Sequence, residues 1–423
     1  MTTRKMFMEG FFLTVLVLIF YASADARLYV DITSPGMRKL PIAVQDFPGL
    51  LEGKEVSDTV ESDLGFTGVF AMLDKSRQVE GPGSPFSPNN WRPLGVDAVV
   101  KGTLEMNPNG EMSATVTVYD VTEANTMMKK QYVTRKDLIR PLAHRIADDI
   151  YEAITGQKGI FSSKIAFAGQ TGEGRSIFLM DYDGERMKKI VSRGSITMKP
   201  HWAPDGKKLA YSSLRNGKWG IFMLDFDSAT ESSFFSSPGT NLAGDFTPDG
   251  KYLLLSSSSK GSPDIYMLHI TTKVLSRITY SDGIEVSPSP SPDGSRIVFV
   301  SDKSTTPQIY TMLLDGTDVR RISYEGNYST SPEWSPAGDK IVFASIRGGQ
   351  FQIFTVNPDG GALTQLTHEG TNDEPSFSPD GRYITFTSTR DGAKGVYIMN
   401  ADGQQQRRIT PRNIRAFGPS WSH

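Results

Sequence analysis

Few residues in this sequence are placed to do covalent chemistry. Its five histidines, His144, His201, His269, His368 and His423, are scattered, and it has no cysteine. No His-Glu-x-x-His, Gly-x-Ser-x-Gly or Gly-x-x-x-x-Gly-Lys occurs, so the spacings that seat a catalytic zinc, expose a serine nucleophile or cradle a phosphate are missing. Gly81-Pro82-Gly83-Ser84 is a glycine-rich loop only superficially, since no apolar strand runs directly into it and no helix follows at once. Regular spacing appears instead among carboxylates: Asp205, Asp249, Asp293 and Asp380 each sit in a Pro-Asp-Gly triplet. A ring of such groups could hold a cation. Proline and aspartate, however, favour a tight turn, and glycine tolerates the positive φ that closes it, so a turn is the first reading.

The elements that must carry these turns repeat with them. Prolines 204, 248, 292, 336 and 379 follow one another at steps of 44, 44, 44 and 43 residues. After each turn comes an apolar strand ending in small hydroxyl residues, as in Lys208–Ser213 and Tyr383–Ser388. An Ile-aromatic strand follows (Ile221-Phe222, Ile309-Tyr310), then a segment ending in a hydrophobic residue and Thr or Ser (Arg277-Ile278-Thr279, Arg408-Ile409-Thr410). Four short strands in about 44 residues are the signature of a propeller blade. The first unit, from Lys164 to Val191, lacks an inner strand, and Gly418-Pro419-Ser420-Trp421-Ser422 at the far end matches Lys199-Pro200-His201-Trp202-Ala203. The last strand is therefore expected to complete the first blade and close a six-bladed ring, hiding its edges. Trp202, Phe246, Trp334, Phe377 and Trp421, with Pro290 in the third place, precede the turns and are read as fillers between blades rather than a cofactor box.

Upstream the texture changes, from Arg27 to Gly156. Leu40–Val44, Val96–Leu104 and Met112–Val121 read as strands, and Leu138, Leu142, Ile146, Ile150 and Ile154 make one face of a helix from Asp137 to about Thr155. Gly81–Pro93 reads as a loop. The fold class expected is thus an α/β amino-terminal domain over residues 27–156 plus an all-β six-bladed β-propeller over 160–423. Residues 1–26 read as a signal peptide: Arg4 and Lys5 precede an apolar run, Phe11–Tyr21, and Ala24-Asp25-Ala26 offers a cleavage site. Eleven apolar residues are too few to span a bilayer, so the exported chain is not expected to be membrane-spanning. The formal net charge of −2, with no basic excess, argues against nucleic acid.

These residues together resemble the TolB family, the periplasmic component of the Tol-Pal system of Gram-negative bacteria. The likeness rests on the Pro-Ile-Ala-Val strand at Pro41, Gly95-Val96-Asp97-Ala98-Val99-Val100, the junction Thr155-Gly156-Gln157-Lys158-Gly159-Ile160-Phe161, the repeats and the closing Pro419-Ser420-Trp421-Ser422. The resemblance implies a non-catalytic periplasmic adaptor, monomeric and without a cofactor, that acts in outer-membrane invagination at division and in outer-membrane integrity. It implies binding of the lipoprotein Pal at the mouth of the propeller channel, with other outer-membrane proteins as further partners. Loops leading into the inner strands are the candidates for that face: Thr197, Met198, Thr240, Asn241, Ala243, Glu285, Val286, Tyr328 and Asp373. Binding of TolA would fall to the mature amino-terminal segment, Arg27, Leu28, Tyr29, Val30, Asp31 and Ile32. Gly244 and Pro290 depart from the other repeats at this rim. Two further readings stay open: a peptidase-like propeller without its hydrolase, and a propeller that holds a sugar or a cation in its channel.

Overall fold

The computed structural model describes residues 38–172, 174–191 and 196–422. The expected signal peptide and the segment Arg27–Ile32 lie outside the described residues.

The amino-terminal domain is one mixed sheet with its two long helices on one face. Strands β1 (Leu40–Val44), β2 (Phe70–Met72), β3 (Ala98–Met106), β4 (Met112–Asp120) and β5 (Asn125–Thr134) lie in the order β2-β1-β3-β4-β5. β1 runs parallel to both neighbours, and the rest of the sheet is antiparallel. Helix α1 (Glu52–Phe66) buries Val56, Val60 and Leu64, one residue per turn, and carries Glu52 and Glu55 in its first turn, where the positive end of the helix dipole stabilises acids. Nothing in its sparse apolar pattern announced it. Gly81–Pro93 is not all loop either: Pro88 opens a single helical turn, α2 (Pro88–Trp91), that lays Trp91 on the far face of the sheet. Helix α3 (Ile139–Thr155) buries Leu142, Ile146, Ile150 and Ile154 as expected and ends at Gly156 in left-handed conformation, φ 73°. Leu138 falls in the preceding 3₁₀ turn instead and is exposed, and Ile139 takes its place in the core.

Six four-stranded antiparallel sheets form the propeller. The inner strands of the second to sixth blades are Ile196–Trp202, Asn241–Phe246, Glu285–Pro290, Ser329–Trp334 and Asn372–Phe377. Arg415–Trp421 pairs with Lys164–Gln170 and supplies the inner strand of the first blade. The seam is tight: Ser422 N–H donates to Lys164 O at 2.8 Å, Lys164 N–H to Ser422 Oγ at 2.8 Å, and Trp421 Nε1–H to Ser163 Oγ at 2.7 Å.

The repeated residues each have a local task. Asp205, Asp249, Asp293 and Asp380 accept the N–H two residues onward at 2.9 to 3.1 Å, which fixes the turn and commits the carboxylate to its own loop. Thr279, Ser323, Thr367 and Thr410 accept the N–H of Ile265, Ile309, Ile353 and Val396, so the hydroxyl that ends each outer strand satisfies a donor of the third strand. Trp202 Nε1–H bonds Ser420 O of the neighbouring blade at 3.1 Å, tying blade to blade as well as filling the gap.

Turns of the Pro-Asp-Gly type all lie at one end of the ring, and the amino-terminal domain sits there. Phe66 stacks on Tyr383 of the sixth blade at 4.5 Å and meets Tyr182 of the first edge-on at 5.3 Å. One hydrophobic core runs from Ile42, Val60 and Ile146 through Phe161 into Phe167, Tyr182, Tyr383 and Trp421. The opposite end, where the loops enter the inner strands, faces away from this domain.

Candidate functional site

Each inner strand carries a β-bulge at the same height, seen as a register shift between Val286 and Ser289, Thr330 and Glu333, Asp373 and Ser376, and Phe417 and Ser420. At that bulge Ser287, Ser331 and Glu374 hold φ of 52° to 55°, left-handed positions unusual for residues with a side chain. Such strain persists where the surroundings over-determine it, and it gathers at functional sites. Here it aims polar side chains at the channel axis.

Charged side chains meet across the ring. Lys199 of the second blade reaches across to Glu333 of the fifth, with Nζ–Oε2 at 3.2 Å, and also donates to Pro375 O at 3.4 Å. Glu333 accepts further bonds from Ser376 Oγ and Phe377 N–H. Burial alone would lower the Lys199 ammonium, but the fields of Glu333 and Asp245 outweigh it and hold it above the usual lysine range. Beside it His201 Nδ1 contacts Asp245 at 2.7 Å, and that bond helps hold the Asp245 carboxyl down to about 2 against its burial. Below the pair, toward the turn end, lies a cavity of about 350 Å³ walled by Trp202, Trp334 and Phe377 with Asp245 and Glu333.

The nine candidate residues all fall on the free end but differ in role. Three are buried. Thr197 Oγ1 donates to Arg175 O at 3.0 Å. Asn241 uses its whole amide, donating to Trp219 O and Ser237 O and accepting from Ser237 and Ser257. Glu285, 4% exposed, has an oxygen with no hydrogen-bond partner. Thr197 and Asn241 brace the loops rather than face solvent. Met198, Thr240, Ala243, Val286 and Asp373 are half-buried along the rim, and Tyr328 is exposed, its ring edge-on to Phe351 at 5.6 Å. Burial and then the neighbouring Glu374 push the Asp373 carboxyl up to about 6. The cross-channel residues Lys199, His201, Asp245 and Glu333 were not among the candidates.

Metal-like spacing occurs away from the channel. His144, Asp181 and Asp183 approach one another at the domain seam. Their carboxylates are already engaged, Asp181 by Lys164 at 2.8 Å and Arg186 at 3.7 Å, and Asp183 by Arg140. A divalent ion would have to displace three cations, so the donor set fits a proton on His144 better than a metal.

A closed ring fastened by its last strand, with an α/β domain on one end and loops free on the other, defines a two-domain propeller protein. The family described as TolB beta propeller domain matches residues 151–423, and that described as TolB amino-terminal domain matches residues 28–127. This chain belongs to the TolB family. It is 33% identical over 196 residues to the Tol-Pal system protein TolB of Dechloromonas aromatica and 31% over 202 residues to that of Bordetella avium. These matches cover 46% and 48% of this chain and 46% of each relative, so the chain spans about half the length of the curated relatives it matches. The crystal structure of TolB from Acinetobacter baumannii superposes with a TM-score of 0.80 at 27% identity, covering 94% of this chain and all of the other. The fold class expected from the sequence is the one observed.

Proposed function

We propose that this protein is a non-catalytic periplasmic component of the Tol-Pal system, taking the lipoprotein Pal on the free end of the propeller and TolA on the segment Arg27–Ile32. In that role it couples the outer membrane to the machinery that draws it inward at division and maintains its integrity. The observation that carries the reading is the asymmetry of the ring in a TolB-family chain. One end carries the amino-terminal domain, packed on the first and sixth blades, while the other presents Val286, Tyr328 and the half-buried rim to solvent. The test is binding to immobilised soluble domains of Pal and of TolA. Val286→Glu with Tyr328→Glu should weaken Pal binding at least about tenfold, the cost of about 1.4 kcal/mol that one lost rim contact entails, and leave TolA binding intact. Removal of residues 27–36 should weaken TolA binding. Unchanged Pal binding by the double variant would move the Pal site elsewhere.

A further inference from the structure

On the free end three cations crowd one aromatic ring. Phe417, in the closing strand, is buried, and the Arg175 guanidinium lies 4.2 Å, the Lys394 ammonium 5.2 Å and the Arg415 guanidinium 5.9 Å from its ring centre. Arg175 opens the third strand of the first blade, Lys394 lies in the turn before the third strand of the sixth, and Arg415 opens the closing strand, so the cluster straddles the seam of the ring. Ala416 N–H donates to Lys394 O at 3.2 Å and holds the two blades in this register. Two other ring-stacked arginines have acidic partners, Arg215 with Glu231 at 2.7 Å and Arg277 with Asp264 at 2.6 Å. Among the described residues, Arg175, Lys394 and Arg415 have none within ion-pair distance. The carboxylate that most feels Lys394, Asp373, is turned toward Ser331 Oγ and the Glu374 N–H.

Three like charges around one ring are separated by distances of the order of the Debye length, about 8 Å at physiological ionic strength, so salt screens them only in part. Stacking on Phe417 returns only about 0.5–1 kcal/mol per cation at an exposed site, so an arriving anion finds unspent field. The other side of the same face is aromatic: Tyr280 is 74% and Tyr324 68% exposed, with Ile284 and Tyr328 also exposed, on the loops that enter the fourth and fifth blades. Arg277 and Arg321 stack on Tyr280 and Tyr324, so the two sides differ in exposed aromatic area, large over the fourth and fifth blades, and in the gathering of three cations on one ring over the first and sixth.

From this juxtaposition we propose that Arg175, Lys394 and Arg415 seat an acidic segment of the protein that docks on this end, while the tyrosine arc takes that protein's apolar contact and sets its orientation. The inference rests on the partner-binding reading of the face given above. It is tested by calorimetric titration of residues 27–423 with the soluble Pal domain at low and physiological salt. The unaltered protein is compared with K394E/R415E, K394Q/R415Q and Y324A/Y328A. Charge reversal should weaken binding at least about 100-fold and the neutral pair about tenfold, because like-charge juxtaposition costs several kcal/mol. Both should flatten the salt dependence, and the neutral pair keeps the test valid should the reversed pair melt early. If Y324A/Y328A weakens binding while both charge variants match the unaltered protein at either salt, the acidic-segment inference is overturned and the docking face stands. Failure of the unaltered protein to bind Pal overturns both. Capture on phosphatidylglycerol vesicles that charge reversal abolishes, with Pal binding untouched, would also overturn it and assign the cluster to lipid.

Discussion

His144 is enclosed by acid. On α3 it meets Asp63 of α1 through Nδ1 at 2.7 Å, and its Nε2 faces Asp181 at 3.5 Å and Asp183 at 4.0 Å across the seam, while the Tyr182 hydroxyl donates to Asp63 at 2.7 Å. Arg140, Lys164 and Arg186 surround the same carboxylates. Burial lowers the imidazolium, but Asp181 and Asp63 outweigh it and raise it from 6.5 to about 9. The folded protein thus binds more protons here than the unfolded chain, so this contribution is whole below pH 6.5 and lost as pH rises through about 9. Urea midpoints followed from pH 6 to 10 should fall more steeply for the unaltered protein than for His144→Asn. Parallel profiles would mean that His144 is not the charged group at the seam. At the channel, Lys199→Met should cost about 3–5 kcal/mol, since it leaves Glu333 buried without its partner, and K199M/E333Q should recover most of that loss. Thermal melts of the single and double variants check this, and a harmless single variant would contradict the cross-channel pair. Neither constellation was legible from spacing, because each joins residues of different elements that only the closed ring brings together.

At the scale of elements the repeat carried most of the information. Turn, hydroxyl and aromatic positions each recur because each satisfies the same backbone group or fills the same gap in every blade, and so the blades could be counted from the sequence. The amino-terminal domain was less legible for the opposite reason. α1 shows only Val56, Val60 and Leu64 to the core and is otherwise polar, so its period is faint, whereas α3, with four large apolar residues on one face, stood out. β2 and β5 were not anticipated: the first is three residues long and the second a mostly exposed edge. Among candidate rim residues, periodicity placed the loops together at one end of the ring but could not say which side chains turn inward. Asn241 is the case in point, since its four hydrogen bonds are invisible without the fold. Asn241→Asp should destabilise the ring by about 1–3 kcal/mol by leaving acceptors against Trp219 O and Ser237 O, and only then affect binding. Deletion of residues 418–423 removes Trp421 and the seam bonds, and should lower the melting temperature of the whole propeller, with early proteolysis at the exposed edge of Lys164–Gln170. A normal melting curve would refute closure by the last strand.

The whole molecule is a ring with two unlike ends joined by one core. The turn end carries the amino-terminal domain through Phe66, Tyr182 and Tyr383, and the loop end is left free, with Lys199 and Glu333 paired across the ring. The most direct measurement is calorimetric titration of residues 27–423 with a soluble Pal domain, alongside a form lacking residues 27–36. Saturable one-to-one binding, lost in V286E/Y328E and altered by the truncation, is the result predicted. No heat of binding from either folded form would contradict the adaptor role and leave only the propeller itself.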